Sequence, residues 1–270
     1  MAFYGSYFSF DGIPCFEYGL MVYDVGGSNE DGKFSSQVEI IEDRTAKRYS
    51  PLHYGVIQNT PLTFSFTFGA DIDAIDKSQP LDRWDMEVVA HWLTGHDDYK
   101  YLEITQPDLE TVRYKCIISD LEYITYGNIP WAFTCQVTCD SPFAYSYPET
   151  ITHTVSGTLD AMIESRASCK YYYPYLTIKV TEGNSFSIIN HSDNDRVFSF
   201  ENLPSAPIEI YIDNENEVIT NSKDLNIYDC FNFNFFRLVH GYNNIELTGD
   251  ADVSFTCEFP INVGGWLYAN

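Results

Sequence analysis

The groups in this 270-residue chain that could do chemistry are seven cysteines, six histidines and an excess of carboxylates. Cys135 and Cys139, with three residues between them, have a spacing met in metal sites. On a strand, however, two such residues point the same way about 13 Å apart, at about 3.3 Å of rise per residue. Neither a disulfide nor a tetrahedral zinc spans that distance, so the pair reads as core. The other thiols (Cys15, Cys116, Cys169, Cys230, Cys257) are dispersed, and stretches such as Tyr-Lys-Cys116-Ile-Ile set them among apolar neighbours. Free cysteine in such surroundings behaves as a small buried hydrophobe.

His91 and His96 are the only histidines close together, and no cysteine or carboxylate pattern accompanies them, so they read as packing or solvated side chains. The acidic stretches Asp193-Asn194-Asp195 and Asp213 to Glu217 offer oxygen ligands for calcium, yet they lack the EF-hand spacing and its glycine. Asn and Asp clusters of this kind build tight turns. The run Tyr171-Tyr172-Tyr173-Pro174-Tyr175 has two readings. Tyr171, Tyr172 and Tyr173 are the candidate carbohydrate-binding residues, as platforms for sugar stacking; alternatively they pack on their own domain. No G-x-S-x-G elbow, P-loop or dinucleotide-binding glycine motif occurs. Carboxylates are too plentiful for counting to single out a glycosidase dyad. The expectation is a protein with no catalytic residues, no metal and no cofactor.

Alternation dominates the elements that would position these groups. Leu62, Phe64, Phe66 and Phe68 share one face of a strand whose other face is Ser and Thr. Trp131 to Cys139, Tyr175 to Val180, Ile208 to Ile212 and Val253 to Phe259 alternate likewise. Turn signals separate such runs: Gly26-Gly27, Asp31-Gly32, Gly127-Asn128, Glu182-Gly183-Asn184, Asp213-Asn214 and Gly241 to Asn244. From Pro80 to Leu93 the period lengthens, and Leu81, Trp84, Val88, Val89, Trp92 and Leu93 fall on one helical stripe. Pro80 and the acids Asp82 and Asp85 suit its start, and Gly95 its end. A proline-marked linker at residues 141–149 divides the chain into domains at 1–146 and 147–270. The second part offers roughly eight short strands, as in a jelly-roll or lectin-like sandwich.

Hydrophobic residues at 44% and aromatics at 16% suffice for two packed cores, which excludes global disorder. Fifteen Lys and Arg against 39 Asp and Glu give a net charge of −24. Both halves share it: 9 against 22 through Ser146 is −13, and 6 against 17 beyond is −11. Such a surface repels phosphate backbones and anionic membranes. The opening residues lack a basic segment followed by an apolar one, and no run approaches the roughly 20 apolar residues of a membrane span, so a soluble protein folded in a cytoplasm is expected.

Three stretches resemble the distal tail protein family of siphophages. Phe8-Ser-Phe-Asp-Gly-Ile13 with Tyr18-Gly-Leu20 is similar to the family's opening. The helix ending in Trp92-Leu93, then Leu102-Glu-Ile104, Tyr114-Lys-Cys116 and Cys139-Asp-Ser-Pro-Phe-Ala-Tyr145, is similar to its first domain's later half and exit. Gly241-Tyr-Asn-Asn-Ile245, Gly249-Asp250 and Phe259-Pro260 resemble the closing strands of its second domain.

The resemblance implies a mainly β fold. Its N-terminal domain would be a β-sandwich or barrel-like body with one helix and a projecting β-hairpin, followed by a galectin-like or jelly-roll C-terminal β-sandwich. It implies a structural subunit, not an enzyme, at the virion tail tip, assembled in the host cytoplasm into a homo-hexameric ring. Its partners would be the tail-tube protein, a tail-associated fibre or lysin protein and the tape measure. DNA would pass through without specific binding, and no membrane would be involved. A carbohydrate-binding adhesion module is the alternative.

Overall fold

The computed structural model describes residues 6–25, 38–44, 49–58, 61–71, 81–105, 112–204 and 206–263. The expected turns at Gly26-Gly27 and Asp31-Gly32, and Pro80, lie outside them. The fold is mainly β, and the chain divides after Tyr145 into two compact units, the second spanning Ser146–Ile261.

The first unit contains β1 (Phe8–Phe10), β2 (Ile13–Pro14), β3 (Leu20–Val25), β4 (Val38–Asp43), β5 (Leu52–Gln58), β6 (Thr63–Ala70), α1 (Arg83–Thr94), β7 (Lys100–Ile104), β8 (Val112–Tyr126) and β9 (Ile129–Cys139). Its main sheet runs β2-β1-β7-β8-β9-β6-β3. The alternation read from the sequence sets its inner face: Phe64, Phe66 and Phe68 of β6 are buried beside Phe133, Cys135 and Val137 of β9. Phe8 joins them edge-on to Phe66, with ring centroids 4.9 Å apart.

A capping box starts α1. The Asp82 carboxylate accepts from the Asp85 N–H at 2.8 Å, and the Asp85 carboxylate accepts from the Asp82 N–H at 3.1 Å. The helix then buries Val89, Trp92 and Leu93. Trp92 stacks on Phe8 at 5.6 Å and donates its indole N–H to the Phe10 carbonyl at 3.2 Å. Two residues expected on the buried stripe are not there: Trp84 is 76% exposed and Val88 49%. At about 100° per residue the six stripe positions span about 180° of arc, and the buried arc centres near Val89. Trp84 and Val88 sit at the uncovered edge of that arc.

A short strand, β10 (Ala144–Ser146), falls within the expected linker. Beyond it come β11 (Glu149–Ser165), β12 (Tyr171–Tyr172), β13 (Tyr175–Asn190), β14 (Arg196–Phe200), β15 (Ile208–Asp213), β16 (Val218–Asn221), β17 (Leu238–Val239), β18 (Gly241–Cys257) and β19 (Pro260–Ile261). The second unit's sheet runs β11-β18-β13-β15-β16, with β14 also on β13, and β12 pairs with β17. Uniformly short strands do not occur: β11 and β18 have 17 residues each and β13 has 16. Two expected turns lie inside strands. Glu182-Gly183-Asn184 falls at a register irregularity of β13 against β18, and Gly241 to Asn244 opens β18. Gly157 of β11 pairs with Gly249 of β18 at the level of that irregularity. Inward residues from Leu176, Ile178 and Val180 through Val253 and Phe255 fill the core. Along the outer face runs a hydroxyl ladder from Thr150–Thr256 at 3.1 Å to Thr152–Ser254 at 3.0 Å.

Candidate functional site

Five of the seven thiols, Cys15, Cys116, Cys135, Cys139 and Cys257, belong to the core. Cys116 of β8 stands directly opposite Cys139 of β9, a juxtaposition that sequence spacing does not reveal. All seven cysteines are free, and burial pushes the thiols of Cys135 and Cys139 up to about 12. Thiols held protonated in this way are poor nucleophiles and poor metal ligands.

His96 faces the Trp92 carbonyl at 2.8 Å and lies edge-on to Phe10, whereas His91 is exposed. Among the described residues no group of three or more His, Cys, Asp or Glu could hold a metal ion. The acidic stretches are turns with internal partners. Asp193 accepts from Arg237, Asp195 lies 2.7 Å from His191, and Asp213 caps its own turn through Asn216.

Tyr171, Tyr172 and Tyr173 are all half-buried. The Arg237 guanidinium lies 3.7 Å over the Tyr171 ring. The Tyr172 hydroxyl accepts from the Glu258 N–H at 2.7 Å while its ring packs on Phe259. Burial raises the Tyr172 hydroxyl above the ordinary tyrosine range, so it stays a neutral phenol.

Two other surfaces present apolar side chains that no described residue covers. Among the described residues, strands β4 and β5 pair only with each other. Their hairpin leaves Ile40, Ile41, Leu52 and Tyr54 exposed, Ile40 at 57% and Tyr54 at 66%. An isolated two-stranded hairpin is marginal in water, so such an element calls for a partner surface. The second surface is a groove along α1, where Trp84, Val88 and His91 face Ile13 and Tyr18, with Asp11 and Glu87 at its margin. The groove was not legible in the sequence because it forms only where the stripe of α1 runs past the sheet.

The described residues form a two-unit body of antiparallel β-sheets. Residues 3–141 match the family model of the phage tail protein N-terminal domain, and residues 143–257 that of the phage tail C-terminal domain. The chain belongs to this phage tail protein family, whose role is structural. No curated protein matches it.

Among solved structures the chain is similar to the Dit protein (gp 19.1) of phage SPP1, described as a paradigm of the hub adsorption apparatus in phages infecting Gram-positive bacteria. Identity is 13% over 94% of this chain and 99% of that one, with a TM-score of 0.65. It is also similar to a chain of the phage P2 baseplate in its activated conformation with calcium, at 10% identity over 94% and 98% of the two chains. The TM-score of that second likeness is 0.47. The expected resemblance to distal tail proteins thus holds for the family and for the fold.

Proposed function

We propose that the protein is a ring subunit of the tail tip, a homo-hexamer joining the tail-tube protein to the fibre or lysin protein of the adhesion apparatus. The tape measure and then the genome would pass through its centre, and assembly would take place in the host cytoplasm. The observation that carries this reading is the β4–β5 hairpin, which pairs with no other strand among the described residues and exposes Ile40, Ile41, Leu52 and Tyr54. An element of this kind is stabilised by a neighbouring copy, and a closed ring leaves no such surface open. The net charge of −24 suits the same role, since carboxylates lining a channel repel passing DNA.

Light scattering and negative-stain imaging of the purified chain test the reading. The expected result is a ring with a central hole, well above the 30.9 kDa of one chain. Strictly monomeric behaviour at high concentration would count against it.

Carbohydrate adhesion through Tyr171, Tyr172 and Tyr173 is the competing proposal, and it draws on the part of each ring left exposed. Cell-wall glycan binding that Tyr173→Ala abolishes would favour it; binding absent from the native chain would remove it.

A further inference from the structure

We propose that β11 is a pairing edge for a second copy of this chain, adding antiparallel to the same strand of the partner about a two-fold axis at Gly157. The inference concerns the second unit alone. It does not rest on the ring reading, because a two-fold contact uses one patch twice and cannot close a ring of six.

β11 ends its sheet, and among the described residues its only strand neighbour is β18. At 17 residues it is about three times the usual strand, so a long row of N–H and C=O groups on its far side meets no other described strand. Such edges are ordinarily guarded by lysine or proline. Glu149 to Ser165 contains no Lys, Arg or Pro. The core side of the strand is also unfinished. Ile151, His153, Leu159 and Ala161 alternate inward yet are only half-buried, whereas Leu176, Ile178 and Val180 of the central strand β13 are fully buried.

The strand is self-complementary. Gly157 is the midpoint of Glu149–Ser165, so full overlap places its φ of +82° on the axis and the two bends coincide. That register sets Ile151 against the partner's Ile163 and Val155 against the partner's Leu159. His153 then faces the partner's Ala161, whose small side chain leaves room for the imidazole. On the outer face Thr154 meets the partner's Asp160, a pair of the kind Thr154 already makes with Asp252 at 2.7 Å.

Charge decides the direction. Glu149 is bonded to Arg166 at 3.1 Å, and the strand's other acids, Asp160 and Glu164, both lie beyond its midpoint. In the antiparallel pair Asp160 stands opposite position 154 of the partner, which puts the two Asp160 carboxylates about 20 Å apart at about 3.3 Å per residue. That is well beyond the screening length of about 8 Å at physiological salt. A parallel pair would instead set Asp160 and Glu164 each beside its own copy.

Disulfide trapping in the full chain tests the register, with the partly accessible Cys169 and Cys230 replaced by Ser. Ser156 of one copy would lie opposite the partner's Thr158, with Cβ atoms about 5 Å apart, but only diagonal to the partner's Ser156, at about 7–8 Å. A disulfide needs Cβ atoms about 4 Å apart. Mixed Ser156→Cys and Thr158→Cys chains, oxidised with glutathione disulfide, should therefore yield a linked two-chain species several-fold faster than either variant alone. Leu159→Lys, added to both chains, should abolish the trapping while native circular dichroism is kept. A mixture no faster than the single variants, or trapping that survives Leu159→Lys, would overturn the proposal. Ring formation is read separately by imaging, so failure here leaves the ring reading as it stands.

Discussion

Arg237 meets Asp193 with two nitrogens, Nε at 2.6 Å and Nη2 at 3.2 Å from the two carboxylate oxygens. The carboxylate is 1% exposed and the guanidinium 21%, and Tyr171 lies under the latter. Asp193 sits in the turn after β13, whereas Arg237 immediately precedes β17, so the pair ties together segments 44 residues apart. The Asn190 side chain donates to the Arg237 carbonyl and to Asn243, which in turn holds Val239.

Removing one member of this pair should cost far more than a surface ion pair would. Asp193→Ala leaves the guanidinium without its two-pronged partner, and losing one partner of a buried pair costs on the order of 3 kcal/mol. Urea denaturation followed by tryptophan-independent circular dichroism should show the second unit unfolding at lower urea. A midpoint unchanged from the native chain would mean that the pair adds nothing to the fold.

Thiol reactivity should divide the cysteines sharply. Cys15, Cys116, Cys135, Cys139 and Cys257 are buried, and burial raises each thiol, to about 11 for Cys15 and about 12 for Cys257. Only Cys169 and Cys230 are partly accessible. At pH 8 a thiol reagent should modify at most these two in the native protein and all seven after denaturation. Rapid modification of Cys116 or Cys139 under native conditions would contradict the packing of β8 against β9.

Much of this core was legible in the sequence because a period of two has only one structural meaning. Phe64, Phe66 and Phe68 had to share a face, and so did Phe133, Cys135 and Val137. The helix was legible too, through its acids and its longer period, but not the width of its buried face. That depends on how far the sheet reaches beneath α1, a tertiary fact, so Trp84 and Val88 were misplaced. In the second unit the turn chemistry of Gly and Asn was read as chain reversal. At Asn184 it marks a bulge, and at Asn243 a buried amide that donates to the Val239 and Gly241 carbonyls. The projecting hairpin was expected only through the family resemblance, and the groove was hidden for a different reason. Exposed apolar side chains look like core residues until the fold shows that nothing covers them.

The His191–Asp195 contact carries a pH signature. The hydrogen bond that the protonated His191 ring donates to the Asp195 carboxylate raises His191 above the ordinary 6.5, with Glu246 and Asp160 adding in the same direction. A raised folded value means that the contact stabilises the fold fully below pH 6.5, and that this contribution fades as pH rises through the folded value. Proton NMR of the histidine ring should place its titration midpoint above 6.5, and Asp195→Asn should bring it back down. An identical midpoint in both proteins would assign the shift to the general acidity of the surface.

Gly249 should be the least replaceable glycine of the second unit. Its φ of +135° is one that residues with a side chain rarely adopt, and a Cβ there would lie 3.0 Å from both the Ser185 carbonyl and the Phe186 ring. Its partner Gly157 also has a positive φ, of +82°, but open space where a Cβ would go. Gly249→Ala should therefore combine backbone strain with a clash, whereas Gly157→Ala meets strain alone. The former is expected to destabilise the unit by roughly 2 kcal/mol or more, and the latter by about 1 kcal/mol. Thermal melts of the two variants, compared directly, would check the order. If Gly157→Ala proved the more damaging, the close approach of β18 to the β13 bulge would not be what shapes this sheet.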